Sequence, residues 1–275
     1  MPPTFPPVRW IHPHGDWPSF SPDGKQVVFW LDGALYVVDS DGKNFHLLYP
    51  HKGTPDVGAT RPDWSWNHDR IAFTVNGRET WTVHPDGSGA ALYCRVPIGW
   101  NLLYPSWYRD LEALAAVGYN PCNTQAEIFK LTPDSAEVLT RSPHPVAGRP
   151  SVSPDGARIA FAGNEGEYDQ VQNQIWIVKP PAPAFRLEPG KDLSAIQGRS
   201  PNWSPEGNLI VFESTRPAAK PPGSPMAIWI IKSDGTDAHP VTDSAQFGAS
   251  HPEWSRQQTQ IVFAARGKGI GILEI

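Results

Sequence analysis

Six copies of one short pattern occupy nearly all of this chain: WPSFSPDGKQVVF, RPDWSWNHDRIAF, YPSWYRDLEALAA, RPSVSPDGARIAF, SPNWSPEGNLIVF and HPEWSRQQTQIVF. A first anchor follows each Pro-x pair, at Phe20, Trp64, Trp107, Val152, Trp203 and Trp254. The steps between anchors are 44, 43, 45, 51 and 51 residues. A second anchor always falls nine residues later, at Phe29, Phe73, Ala116, Phe161, Phe212 and Phe263. Rigid spacing within a copy and elastic spacing between copies marks a repeat array. A period of about 40–50 residues with several short strands per unit predicts an all-β chain folded as a six-bladed β-propeller.

One copy shows how a blade is written. Pro18–Ser21 alternates apolar and polar, Ser21-Pro22-Asp23-Gly24 supplies turn chemistry, and Gln26–Phe29 is rich in β-branched residues. Leu35–Val38 and Phe45–Leu48 follow as third and fourth strands, separated by Asp39-Ser40-Asp41-Gly42. The third strand recurs around Trp81, Phe129, Trp176, Trp229 and Gly271. The sixth copy stops after its third strand at Ile275, and Val8-Arg9-Trp10-Ile11 stands where a fourth would lie. We therefore expect the N-terminal segment to complete the last blade, a 3+1 closure that removes exposed sheet edges. The repeats span residues 1–275, and one propeller domain is expected.

Composition narrows the partners. With 23 basic and 28 acidic residues the formal charge is −5, which disfavours a general nucleic-acid or anionic-membrane surface. The apolar runs are strand-length, so no membrane insertion is expected. MPPTFPPVRW lacks the basic start and apolar stretch of a signal peptide. As it stands the chain reads as cytoplasmic, or as periplasmic or secreted if a leader has been removed. Cys94 and Cys122 alone define no disulfide framework. A monomer is expected.

Variety is concentrated at one end of the repeat. If the first strand runs down the channel, the short SPDG and DG turns lie on one face. The connections from strand four to one and from strand two to three lie on the other, here called the top. Its longest loops are predicted at Gly118–Gln125, Asn164–Gln170 and Ser214–Pro225. The residue before each repeat Pro should stand at the top channel mouth: Trp17, Arg61, Tyr104, Arg149, Ser200 and His251. Two guanidinium groups beside two aromatic rings suit an acidic group. The same arginines could instead plug the channel or pair with Asp63 and Glu253, just beyond the Pro. A second cluster, His12, His14, Asp16 and His251, offers donors for a divalent metal. No G-x-S-x-G, H-E-x-x-H or P-loop occurs.

The pattern P-x-W/F-S-P-D-G-x-x-I/V-x-F, followed by I-W/Y-x-x-x-S-D-G, resembles the TolB-like, WD40-like β-propeller repeats. The likeness is strong in copies 1, 4 and 5, and weakest in copy 3, where Tyr108-Arg109-Asp110-Leu111 replaces the SPDG turn. It implies six blades and leaves function open. TolB-like propellers include binders of protein partners at the mouth. The similar oligogalacturonate lyases hold a channel metal with several His, and His251-Pro252 matches one such position. Two functions are therefore expected to compete. The first is a free-standing binding module for a protein or small anionic ligand at the top mouth. The second is a metal-assisted lyase or hydrolase acting on an acidic carbohydrate or small molecule. A purely structural module, docking by its lateral or bottom face, is the third.

Overall fold

The computed structural model describes residues 5–50, 58–67, 69–95, 99–122, 125–140, 146–163, 174–180, 185–186, 198–215 and 225–275. These residues form twenty-four strands, β1 to β24 in chain order, in six four-stranded antiparallel sheets. The first blade comprises β2 (Asp16–Phe20), β3 (Gln26–Leu31), β4 (Ala34–Asp39) and β5 (His46–Tyr49), hydrogen-bonded in that order. The first strands of the other blades are β6 (Ala59–Trp64), β10 (Asn101–Trp107), β14 (Val146–Val152), β18 (Arg199–Trp203) and β22 (Ala249–Trp254). The result is an all-β six-bladed propeller. Among the described residues no helix is long and apolar enough to cross a membrane.

The SPDG turns close as their residues dictate. Ser21 Oγ accepts the N–H of Gln26 at 2.9 Å, Gly24 N–H donates to the Ser21 carbonyl, and Asp23 Oδ1 accepts the N–H of Lys25. Gly24 adopts φ +70°, open to glycine at little cost. Ser153–Gly156 and Ser204–Gly207 repeat these bonds between the Ser and Gly positions. In the sixth blade Gln258 takes the same left-handed position, at φ +57°, under an N–H bond to the Ser255 carbonyl.

Packing runs between blades through the second anchors. Phe29, Phe73, Phe212 and Phe263 are fully buried, each in an apolar cluster that joins strands of neighbouring sheets. Gly15 lets the chain pass flat over Phe29, since a Cβ there would stand 2.4 Å from the ring.

The last sheet has the order β1 (Val8–His12), β24 (Gly269–Glu274), β23 (Gln260–Ala265), β22. Its third-strand position holds Gly271 where other blades carry an aromatic. Trp10 covers it, 5.3 Å from Phe247 and 5.9 Å from Phe263 between ring centroids. A Cβ on Gly271 would stand 2.8 Å from Val8 and 2.9 Å from the Trp10 ring.

Two loop expectations change. Residues 118–120 continue β11 (Leu114–Asn120) and Gln125 begins β12 (Gln125–Thr132), with Gly118 paired to Glu127 and Tyr119 to Ala126. Ala115, Val117 and Tyr119 pack into one apolar cluster, so the strand runs on to Asn120. The predicted loop 164–170 and most of 214–225 lie outside the described residues, apart from Ser214, which ends β19 (Leu209–Ser214), and Thr215 and Pro225.

Trp10→Ala should lower stability by about 1–2 kcal/mol, less than loss of a core aromatic, because the Trp10 ring is 38% exposed. Gly271→Ala should also destabilise, and the double variant should lose less than the sum. Denaturant midpoints of the three variants measure that coupling.

Candidate functional site at the top channel mouth

Each inner strand carries the same irregularity. Between Asp16 and Ser19 the first strand spends three steps while its partner spends two, from Trp30 to Val28. The same extra residue falls between Thr60 and Asp63, Leu103 and Ser106, Gly148 and Ser151, Arg199 and Asn202, and Ser250 and Glu253. This is a β-bulge, which re-aims side chains. It contains the ring residue and its Pro, whose missing N–H removes a ladder bond. Trp17, Arg61, Tyr104, Ser200 and His251 sit there at φ between +47° and +55°. A left-handed backbone costs an L-residue roughly 1–2 kcal/mol, so strain is held at five of six ring positions.

Just below the ring, the residue between Pro and anchor clasps the next blade. The backbone N–H of Trp64 donates to Ser19 Oγ at 2.9 Å, and that of Trp107 to Asp63 Oδ2 at 2.8 Å. Trp203 donates to Ser151 Oγ and Trp254 to Asn202 Oδ1, each at 3.0 Å. Phe20 donates to Glu253 Oε1 at 3.0 Å, carrying the clasp from the sixth blade back to the first. Ser106 and Val152 are the junction without this bond among the described residues.

The six ring residues have different fates. Arg61 lies between two rings, 4.1 Å from Tyr104 and 5.0 Å from Trp17, in cation–π geometry. Among the described residues no carboxylate comes within 4.0 Å of its guanidinium, and its buried Nε has no partner. The aromatic faces of Trp17 and Tyr104 thus hold Arg61. Trp17 also stands 5.2 Å from the His251 ring. His251 Nδ1 bonds Asp16 Oδ1 at 2.6 Å. Burial opposes ionisation of Asp16, yet the His251 charge and hydrogen bond outweigh it and hold the carboxyl below its ordinary range. Ser200 Oγ donates to the buried Glu213 at 2.7 Å.

Arg149 goes inward. It is 6 % exposed, and its Nη2 reaches Glu253 Oε2 at 2.8 Å and Asp63 Oδ1 at 3.5 Å. One guanidinium from the fourth blade therefore bridges carboxylates of the second and sixth. Arg256 lies below, donating to the Trp64 carbonyl at 2.6 Å and stacked 3.9 Å from Trp66. Burial raises the Asp63 carboxyl to about 6, helped by the negative charge of Glu253 and opposed by Arg149 and Arg256. The short bond of Arg149 goes to Glu253, which leaves Asp63 the less well compensated acid.

Sequence reasoning passed over the clasp and Arg256. Both had a signal: the residue after the repeat Pro is always polar, and Trp66, Arg109 and Arg256 replace the Pro of SPDG.

The four proposed metal donors do not converge. His12 Nδ1 is tied to the His14 carbonyl, its ring stacks 4.4 Å from Phe45, and Asp16 and His251 face each other. Among the described residues no group of three or more His, Cys, Asp or Glu side chains is placed to hold a metal ion. Adjacent positions in sequence were separated by the entry of β1 into the last blade, which turns His12 towards Phe29 and Phe45. A groove of about 730 Å³ lined by Phe5, Val8, Trp10 and Phe247 shares no residue with the ring.

Because Asp63 is raised, the folded chain binds its proton more tightly than the unfolded chain does. Its contribution to stability is full below about pH 4 and is lost as pH rises through about 6. Asp63→Asn, which keeps an acceptor for Trp107, should flatten the decline in melting temperature between about pH 4 and pH 6.

No family model matches the chain. An uncharacterized peptidase of Bacillus subtilis, YuxL, is 28% identical over 130 residues, covering 45% of this chain and 18% of that protein. An uncharacterized protein of Agrobacterium fabrum is 23% identical over 256 residues, covering 90% and 64%. The chain thus spans less than two thirds of the length of either curated relative. Among solved structures, one assigned as TolB from Agrobacterium tumefaciens matches with a TM-score of 0.70 and 18% identity over 98% of this chain and 96% of that one. An oligogalacturonate lyase in complex with manganese matches with a TM-score of 0.63 and 15% identity over 98% and 93%. At these identities the likeness is one of architecture, and the chain has the TolB-like six-bladed β-propeller fold.

Proposed function

We propose that this propeller is a binding module whose top channel mouth takes an acidic group from a protein or small ligand. The observation that carries the reading is Arg61. Two aromatic rings fix its guanidinium at the rim, with no carboxylate of the described residues within 4.0 Å, although its charge is felt by Asp16. A cation ordered before binding loses little conformational freedom when an anion arrives. A strained backbone at the same position supports a role beyond packing.

The metal-assisted alternative finds no support in the donor set, because His12, Asp16 and His251 do not share one focus. A metal-free enzyme remains the second reading, and it draws on one observation. His251 bonded to Asp16 is a general-base geometry beside the cation that would anchor an acidic sugar. Turnover of oligogalacturonate that disappears in His251→Asn would establish it.

Arg61→Met tests the first reading, since it keeps an aliphatic stem between Trp17 and Tyr104 and removes only the charge. Binding of citrate or a glutamate-rich peptide, measured by calorimetry, should weaken at least tenfold while the melting temperature stays within a few degrees. Unchanged affinity would remove Arg61 and the mouth from consideration.

A further inference from the structure

Among the described residues, three buried donors at ring positions have no partner: Arg149 Nη1, Arg61 Nε and the indole N–H of Trp17. None of the unpartnered buried atoms at the six ring positions is an acceptor. Unpartnered atoms able to accept stand at other positions, among them Thr60 Oγ1 and Glu213 Oε2, and Glu213 already takes a hydrogen bond from Ser200. Buried polar groups in folded proteins are almost always satisfied. A buried charged donor left without an acceptor costs more than a neutral one. Arg149 is the severest case, because its other nitrogen is fixed by Glu253 and the side chain cannot swing out to water.

The missing acceptors define the occupant. A sugar hydroxyl or a water is neutral and carries donor hydrogens along with its lone pairs, and those hydrogens would face other donors. A carboxylate brings acceptors alone, and a phosphate brings an excess of them with negative charge. Size follows from depth. Arg149 is 6 % exposed, within the channel, whereas Arg61 and Trp17 are half-buried at the rim. The bulky surface of a protein partner stops at the rim residues, and only a small ion or molecule that parts Arg61 and Trp17 would meet the buried Arg149 Nη1.

We propose that the mouth binds a small oxyanion, a carboxylate or phosphate, drawn into the channel onto Arg149 Nη1, with Arg61 and Trp17 closing over it from the rim. This rests on the binding reading above and names its ligand class. Arg149 therefore serves two roles: Nη2 neutralises the carboxylates of the second and sixth blades, and Nη1 meets the ligand.

The test is calorimetric titration of the full chain, in low-chloride buffer at pH 7, with inorganic phosphate, citrate and a glutamate-rich peptide. One-to-one binding of phosphate or citrate is expected, and which of the two binds tells phosphate from carboxylate recognition. Arg149→Lys keeps a cation facing Glu253 but forfeits the second nitrogen, and should weaken that binding at least tenfold. Peptide binding that needs Arg61 but not Arg149, with no binding of either small anion, would overturn this inference and leave the module reading standing. No binding of any probe would overturn both. Small-anion binding unaffected by Arg149→Lys would place the ion elsewhere and also defeat the proposal. If Arg149→Lys does not fold, side-chain nitrogen NMR of the wild-type chain decides. Arg149 resonances that move on titration support the site, and resonances that stay fixed refute it.

Discussion

A single hydrogen bond, repeated around the channel, holds this ring together. The polar side chain between each Pro and its anchor accepts a backbone N–H from the next blade, at five of six junctions. Hydrophobic anchors supply most of the burial but little direction. The clasp supplies direction, since it fixes which strand end meets which. It also explains why buried acids are tolerated at Asp63 and Glu253. Each is a clasp acceptor first, and Arg149 and Arg256 then offset the charge left in the channel. Breaking such a set by removing one cation is costly, on the order of 3–5 kcal/mol, because the remaining charges stay buried.

The rim above the clasp is ordered by contacts among its own residues. Trp17 and Tyr104 flank Arg61, while His251 leans on Trp17 and bonds Asp16. From the sixth blade through the third, these side chains form one continuous row. Arg149 stands apart in the fourth blade, turned to the interior. Two arginines that look equivalent in the repeat are thus a rim cation and a channel cation, and they act at different depths.

What could be read in the sequence followed from periodicity. Anchors nine residues apart with a fixed Pro gave the blades, and turn residues at Ser21–Gly24 and its copies gave the strand ends. The ring positions too were legible, because they share one place in the repeat while differing in chemistry. The geometry within the ring was less so. Pairing with Asp63 and Glu253 was open to both arginines, and nothing local says that Arg149 takes it, across 104 positions to Glu253, whereas Arg61 takes up the rings of its neighbours. Tyr119 was misplaced because turn-forming Gly118 and Asn120 mask the alternation that keeps it in β11. The metal set was drawn from proximity in sequence at His12–Asp16, across which one blade ends and the next begins.

The bulge has one more consequence. Because the ring residue and its Pro stand outside the hydrogen-bond ladder in every blade, a change of side chain there leaves strand register untouched. The inner strand resumes its pairing at Ser19, Asp63, Ser106, Ser151, Asn202 or Glu253 whatever precedes it. Five of the six positions are therefore interchangeable letters on a fixed frame, and selection could rewrite what the mouth recognises without renegotiating the fold. The fourth-blade letter is the exception, since Arg149 is also a counter-ion of the frame. A lineage that removes its charge must alter Asp63 or Glu253 as well.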